Sequence, residues 1–265
     1  MRYQLYLGLS IFLYALAVFQ LRAEDLPTPT ISVPPLDAEQ HEFATVLALC
    51  VKPHGVDYAA LRHDHAALER YRAQLATTTM PKDKLGKIAF LINAYNACTL
   101  HLVALKLPAD ETTWPKWSIK NAGNATSDVW KAYTFELAGQ RYTLDQIEHH
   151  LLRPLGDPRV HFAVNCASRS CPPLLAQPYL AATLDAQLES VATAFARDPY
   201  HVRLVSGKLQ VNPILDWFSE DFSAVGGVAK FLSPRASPEV RQYLDAGKKI
   251  SYFEYDWLLN LPADH

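Results

Sequence analysis

The sequence predicts an α+β fold, a predominantly helical single domain with a small, mostly antiparallel sheet. Three observations lead there. Over 82–106 apolar residues recur at helical spacing, so that Leu85, Ile88, Ala89, Ile92, Tyr95, Asn96, Thr99, Leu102 and Val103 share one face. Two alternating runs are broken by Ala138-Gly139-Gln140 and by Ser206-Gly207, the signature of hairpins. A third alternating run, with Val160, Phe162 and Val164 facing one way and His161, Ala163 and Asn165 the other, predicts an inner strand near 159–166.

The elements follow in order. Arg2, an apolar run over 5–19 and a small residue, Ala23, ahead of Glu24 and Asp25 have the layout of a secretory signal peptide. Residues 1–23 are therefore expected to be removed and the remainder exported, to a periplasmic or extracellular location. The apolar run is shorter than the ~20 residues needed to span a bilayer, and no later stretch reads as long and apolar enough for a membrane span. Residues 24–36 are rich in proline and read as a tether, which leaves 37–262 as the domain. Helices are expected at 36–50, at 57–76 as one or a pair, and at 82–106. A hairpin follows at 133–142. Thr143 then opens a short helix, with Gln146 completing a capping box, and Leu144, Ile147, Glu148 and Leu151 share its apolar face. After the inner strand, small residues and paired prolines at 166–173 force a tight loop. A helix at 181–196, a hairpin at 202–211, short helices at 213–222, 228–232 and 238–244, and a closing strand at 249–257 complete the chain.

Composition excludes some classes of function. The 265 residues carry 25 basic and 27 acidic side chains, a net charge of −2, with no basic run. Nucleic acid is therefore not expected as a partner. A chain of this length buries enough surface without disulfide staples, although four cysteines in an exported chain permit them.

The chemistry concentrates around the tight loop. Cys166 leaves the predicted strand where a scaffold can hold it and solvent can reach it. As a nucleophile it needs a base, for which His161 or His149 serves, and an orienting group, for which Glu148, Asn96 or Asn165 serves. Backbone amides of the 168–171 loop could form an oxyanion hole. Asn93, Asn165, Arg153, Ser168 and Ser170 are the candidate substrate contacts. Asn96, Glu148, His161 and Asn165 all fall on inward faces, and converging buried polar groups are what a site requires. Glu148 on an apolar face needs a partner, Arg153 or Arg159, or an upward-shifted pKa; His149 and His150 point away from that face. Cys166 and Cys171 are equally candidates for a disulfide, structural or redox-active. Cys166, Cys171, His161 and His149 are ligand types that zinc accepts, but their spacing matches no standard finger. No metal and no cofactor are expected. Cys50 and Cys98 read as core residues, and Trp114, Trp117 and Trp130 as surface and packing features.

Four separated motifs carry a family resemblance. These are Ile92-Asn-Ala-Tyr-Asn96; Leu144-Asp-Gln-Ile-Glu-His149 with Arg153; Asp157-Pro-Arg-Val-His-Phe-Ala-Val-Asn-Cys166-Ala-Ser-Arg-Ser-Cys171-Pro; and Tyr255-Asp-Trp-Leu-Leu-Asn260. Over about 40–261 the chain resembles the DUF547 family, which includes exported bacterial proteins and has no assigned function. The resemblance implies which positions matter, not their chemistry. Two readings stay open. One is a thiol-dependent hydrolase or acyl transferase, with Cys166 attacking a small molecule or peptide. The other is a non-catalytic periplasmic binding or interaction module with a structural Cys166–Cys171 loop.

Overall fold

In the computed structural model the described residues are 38–123 and 127–262. The expected signal peptide (1–23) and tether (24–36) lie outside them.

The Lys84–Lys106 helix is the centre of the fold. Asp83 starts it by accepting the Gly86 amide at 2.7 Å, a side-chain cap for an otherwise orphan donor. Glycine at 86 leaves room for the cap, because a Cβ there would stand 2.7 Å from that same carboxylate and push it aside. From Ile88 to Leu100 every side chain is buried, so the helix is enclosed all round rather than along one stripe. This corrects the expectation about membrane spans. By length and composition Lys84–Lys106 is apolar enough to cross a bilayer, but 83% of its apolar window is buried inside the protein. Against it pack Ala38–Cys50, Tyr58–His63, Ala66–Thr77 and the Gln146–Leu152 helix, forming a core that includes Phe43, Leu61, Tyr71, Trp114 and Leu144.

Both expected hairpins form. Thr134–Leu137 pairs with Gln140–Thr143, and Val202–Val205 with Lys208–Val211, each pair antiparallel. The two-residue turns have positive φ throughout: 49° and 74° at Ala138 and Gly139, 49° and 73° at Ser206 and Gly207. That is the primed turn, whose twist matches the strands it joins. The closing strand is shorter than expected. Only Ile250–Tyr252 pairs, in parallel with Lys208–Val211.

The capping box at Thr143 is present in both directions, with its amide donating to Gln146 Oε1 at 2.9 Å and the Gln146 amide to Thr143 Oγ1 at 3.2 Å. The helix that follows is wound wide, as a π-helix over Gln146–Leu152.

The inner strand expected at 159–166 is absent. Pro158–Phe162 is a 3-10 helix, which Asp157 caps by accepting the Arg159 amide at 3.0 Å, with Pro158 pre-set at its first position. Val160 to Asn165 are all buried, so alternation in sequence corresponded to no contrast between a wet and a dry face. The segment instead lies between two cores. Val160 and Val164 belong to the core around the central helix, whereas Phe162 belongs to a second, with Phe195, Leu215, Phe222 and Phe231.

Candidate functional site

Cys166 sits just beyond this seam, in a loop held by side chains. Asn165 Oδ1 accepts the Ala167 amide at 2.9 Å, and its Nδ2 donates to the Pro172 carbonyl at 2.8 Å, which clamps the loop at both ends. Ala167 takes a φ of 60°, a conformation that costs a residue with a Cβ and persists only when its surroundings impose it. The amides of Arg169, Ser170 and Cys171 donate to Leu258, Asp256 and Ser168 carbonyls. They are therefore engaged, and the oxyanion hole expected from the 168–171 amides is not available there.

Four hydrogen-bonding groups converge on the Cys166 sulfur, and two of them, the Ser168 and Tyr255 hydroxyls, also bond each other at 2.8 Å. The Cys171 thiol lies 2.8 Å away, the Ser168 hydroxyl 3.2 Å and the Tyr255 hydroxyl 3.3 Å, and the Ser168 amide adds a backbone donor. Led by the Cys171 contact, they outweigh burial and bring the Cys166 thiol down to about 7. Cys171 moves the other way, raised first by its burial and then by its neighbour. Both cysteines are free thiols.

Cys166 opens onto a cavity of about 280 Å³ that Glu148, His149, His161 and Cys171 also line. Glu148, only 8% exposed, receives a hydrogen bond from the Tyr95 hydroxyl. Burial pushes its carboxyl up to about 7, and the nearby Cys166 charge adds to the shift. Neither arginine expected as its partner fills that role. Arg153 makes a two-pronged bond to Asp221, at 2.7 and 2.9 Å, and Arg159 binds Asp157 and Asp185.

His161 is 2% exposed, stacks 4.0 Å from the Phe218 ring and donates from Nε2 to Asp221 Oδ2 at 2.7 Å. Its Nδ1 has no partner among the described residues. Burial lowers the His161 pKa against the pull of Asp221, and Asp221, held by His161 and Arg153, lies well below the usual carboxylate range. His149 is not turned away, as its helix position suggested. Its Nδ1 accepts from Arg153 at 2.6 Å, and its ring borders the cavity.

The asparagines are structural. Asn96 donates to the Ala163 carbonyl at 2.9 Å and accepts the Asn165 amide at 2.8 Å, tying the central helix to the cysteine loop. Asn93 bonds both the amide and the carbonyl of Tyr179. Neither lines the cavity, so Asn96 orients no base and Asn93 meets no substrate there. Ser168 lies beside the Cys166 sulfur, and Ser170 accepts the Asp256 amide at 2.9 Å; like Arg153, both stand outside the cavity lining, and Asn165 instead borders a larger cavity of about 640 Å³ that also reaches Cys171.

Sequence reasoning missed Asp221, Tyr95 and Tyr255, and the aromatic wall of Trp130, Trp217, Phe218 and Trp257. Tyr95 and Tyr255 did lie inside quoted motifs. Asp221 follows Glu220 in a run that reads as solvated surface. Trp114 and Trp117 pack inside the core and not at the surface, and Trp130 lines the cavity. Among the described residues, no group of three or more His, Cys, Asp or Glu side chains is arranged to hold a metal ion.

Residues 80–196 match the model of a family described as "Protein of unknown function, DUF547". No curated protein and no solved structure matches the chain.

Proposed function

We propose that this chain, whose residues 80–196 match the DUF547 family model, is a thiol-dependent hydrolase or acyl transferase of small molecules or peptides, with Cys166 as the nucleophile. The observation that carries this reading is the convergence of four hydrogen-bonding groups on one sulfur at the wall of an open cavity. A thiolate held near neutral pH is the reactive form of cysteine.

Glu148 supplies the proton chemistry. With its pKa near 7 it is substantially protonated at neutral pH, and an acid matched to the working pH is an efficient catalyst. The Cys166 thiolate attacks the acyl carbon, and Glu148 gives its proton to the leaving group. The Glu148 carboxylate then takes a proton from water, whose oxygen attacks the thioester and releases acid and thiolate. His161, neutral and fixed by Asp221, offers Nδ1 as an acceptor for substrate. Trp217, Tyr255 and Trp257 lie within 6 Å of one another by ring centroid, giving the acyl group an aromatic wall.

That wall also favours the second reading, a non-catalytic binding module, because Trp217 leaves 49% of its surface open at the rim. Electrophilic acyl probes on the purified protein discriminate. Labelling should fall on Cys166, vanish in Cys166→Ser and slow in Glu148→Gln. Labelling of the wild type no faster than of Cys166→Ser would leave only the binding module.

A further inference from the structure

Acyl transfer uses the second sulfur in the cavity only as a hydrogen-bonding neighbour of the first. Cys171 is buried, its sulfur lies 2.8 Å from that of Cys166, and it also accepts the Cys166 amide at 2.9 Å. Asn165 clamps the loop from Ala167 to Pro172, so the two sulfurs are held together by the fold and not by chance rotamers. The two thiols are unequal in access, since Cys166 is half-buried and Cys171 nearly enclosed.

We propose that Cys166 and Cys171 form a thiol–disulfide exchange couple, in which Cys166 takes up an external disulfide and Cys171 resolves it. This rests on the preceding reading only in taking Cys166 as the nucleophile. The Cys166 thiolate attacks one sulfur of a small disulfide R–S–S–R, forms the mixed disulfide and expels R–S⁻. Cys171 passes its proton to that R–S⁻, and its own sulfur attacks the Cys166 sulfur and expels the second R–S⁻. One external disulfide is reduced to two thiols while two protein thiols are oxidised to one internal disulfide. Attack begins at Cys166 because, of the two sulfurs that line the cavity, it belongs to the more exposed residue. Burial keeps Cys171 protonated until the mixed disulfide is beside it. The ring closed is short, so the internal bond restrains little unfolded-chain entropy and stays open to reduction. Closing it also withdraws the nucleophile from the cavity.

The test uses the full reduced chain with glutathione disulfide, read by intact mass and peptide mapping. Wild type should end as the Cys166–Cys171 disulfide, reversed by reduced glutathione. Cys171→Ser, which keeps a hydroxyl donor beside Cys166, should stop with glutathione on Cys166, retaining roughly tenfold more than wild type. Cys171→Ala should stop at the same point, which guards against an effect peculiar to serine. Stable glutathione on wild-type Cys166, or equally fast reaction of Cys166→Ser through Cys171, would overturn the proposal. Acyl-probe labelling of the same variants separates the two readings. Closure without acyl labelling removes the hydrolase and keeps the couple, and labelling without closure does the reverse.

Discussion

Cys166 differs from the other buried cysteines in what surrounds its sulfur, not in depth alone. Cys50 and Cys98 lie among apolar side chains, and burial pushes both up to about 12. Cys166 meets four hydrogen-bonding groups and stays near 7. Alkylation by iodoacetamide should therefore rise with pH around a midpoint near 7 at Cys166, while Cys50 and Cys98 remain unlabelled in the folded protein. Tyr255→Phe removes one donor. A hydrogen bond to a charged group contributes about 1.5 kcal/mol or more, so labelling at pH 6 should slow about tenfold. Peptide mapping measures all three cysteines at once, and an unchanged Tyr255→Phe rate would mean that the hydroxyl does not hold the thiolate. Cys166 was legible in the sequence because a loop of small residues and prolines advertises itself. Its donors were not, since Tyr255 lies 89 residues away and local pattern carries no distance.

The Gln146–Leu152 helix shows what periodicity can and cannot reach at the scale of an element. Its spacing placed Glu148 on the buried side, and its capping box was readable residue by residue. The partner was not, because Tyr95 comes from the central helix and hides its hydroxyl inside an apolar stripe. The 158–162 segment failed for the opposite reason. Alternation predicts a strand only when one face is wet, and here both sides are core. The helix also carries a pH prediction. The folded Glu148 pKa, about 7, stands above its unfolded value of 4.5. The folded state thus binds the extra proton, and the stability this gives is complete only below pH 4.5 and is lost as pH rises from there through 7. The gap corresponds to about 3 kcal/mol. Glu148→Gln should match wild type below about pH 4 in urea denaturation, begin to exceed it as pH passes 4.5, and exceed it by up to that amount at pH 8. A stability difference independent of pH would place the proton elsewhere.

At the scale of the whole molecule, the site occupies the join between two cores, and the closing segment sews that join. Asp256 and Leu258 accept from the cysteine loop, Leu259 donates to Trp117, and Asn260 accepts the Val56 amide and donates to the Ala167 carbonyl. The matched family segment ends at residue 196, yet Asp221 and Tyr255 reach the cavity from beyond it, so the chemistry is completed by chain outside that segment. Asn260 tests how far the sewing controls the sulfur. Its Oδ1 accepts the buried Tyr58 hydroxyl at 2.8 Å, and its Nδ2 donates at 3.3 Å to Asn165, the residue that clamps the cysteine loop. Asn260→Ala strands the Tyr58 hydroxyl in a dry interior and slackens the clamp. Each stranded buried group costs about 1–3 kcal/mol, so the loss should be roughly 2–4 kcal/mol in urea denaturation. The Cys166 alkylation midpoint should also rise, because the Ser168 amide and hydroxyl reach the sulfur only while the loop holds its strained turn at Ala167. Lost stability with an unmoved midpoint would show that Asn165 and the loop backbone hold the thiolate without the closing segment.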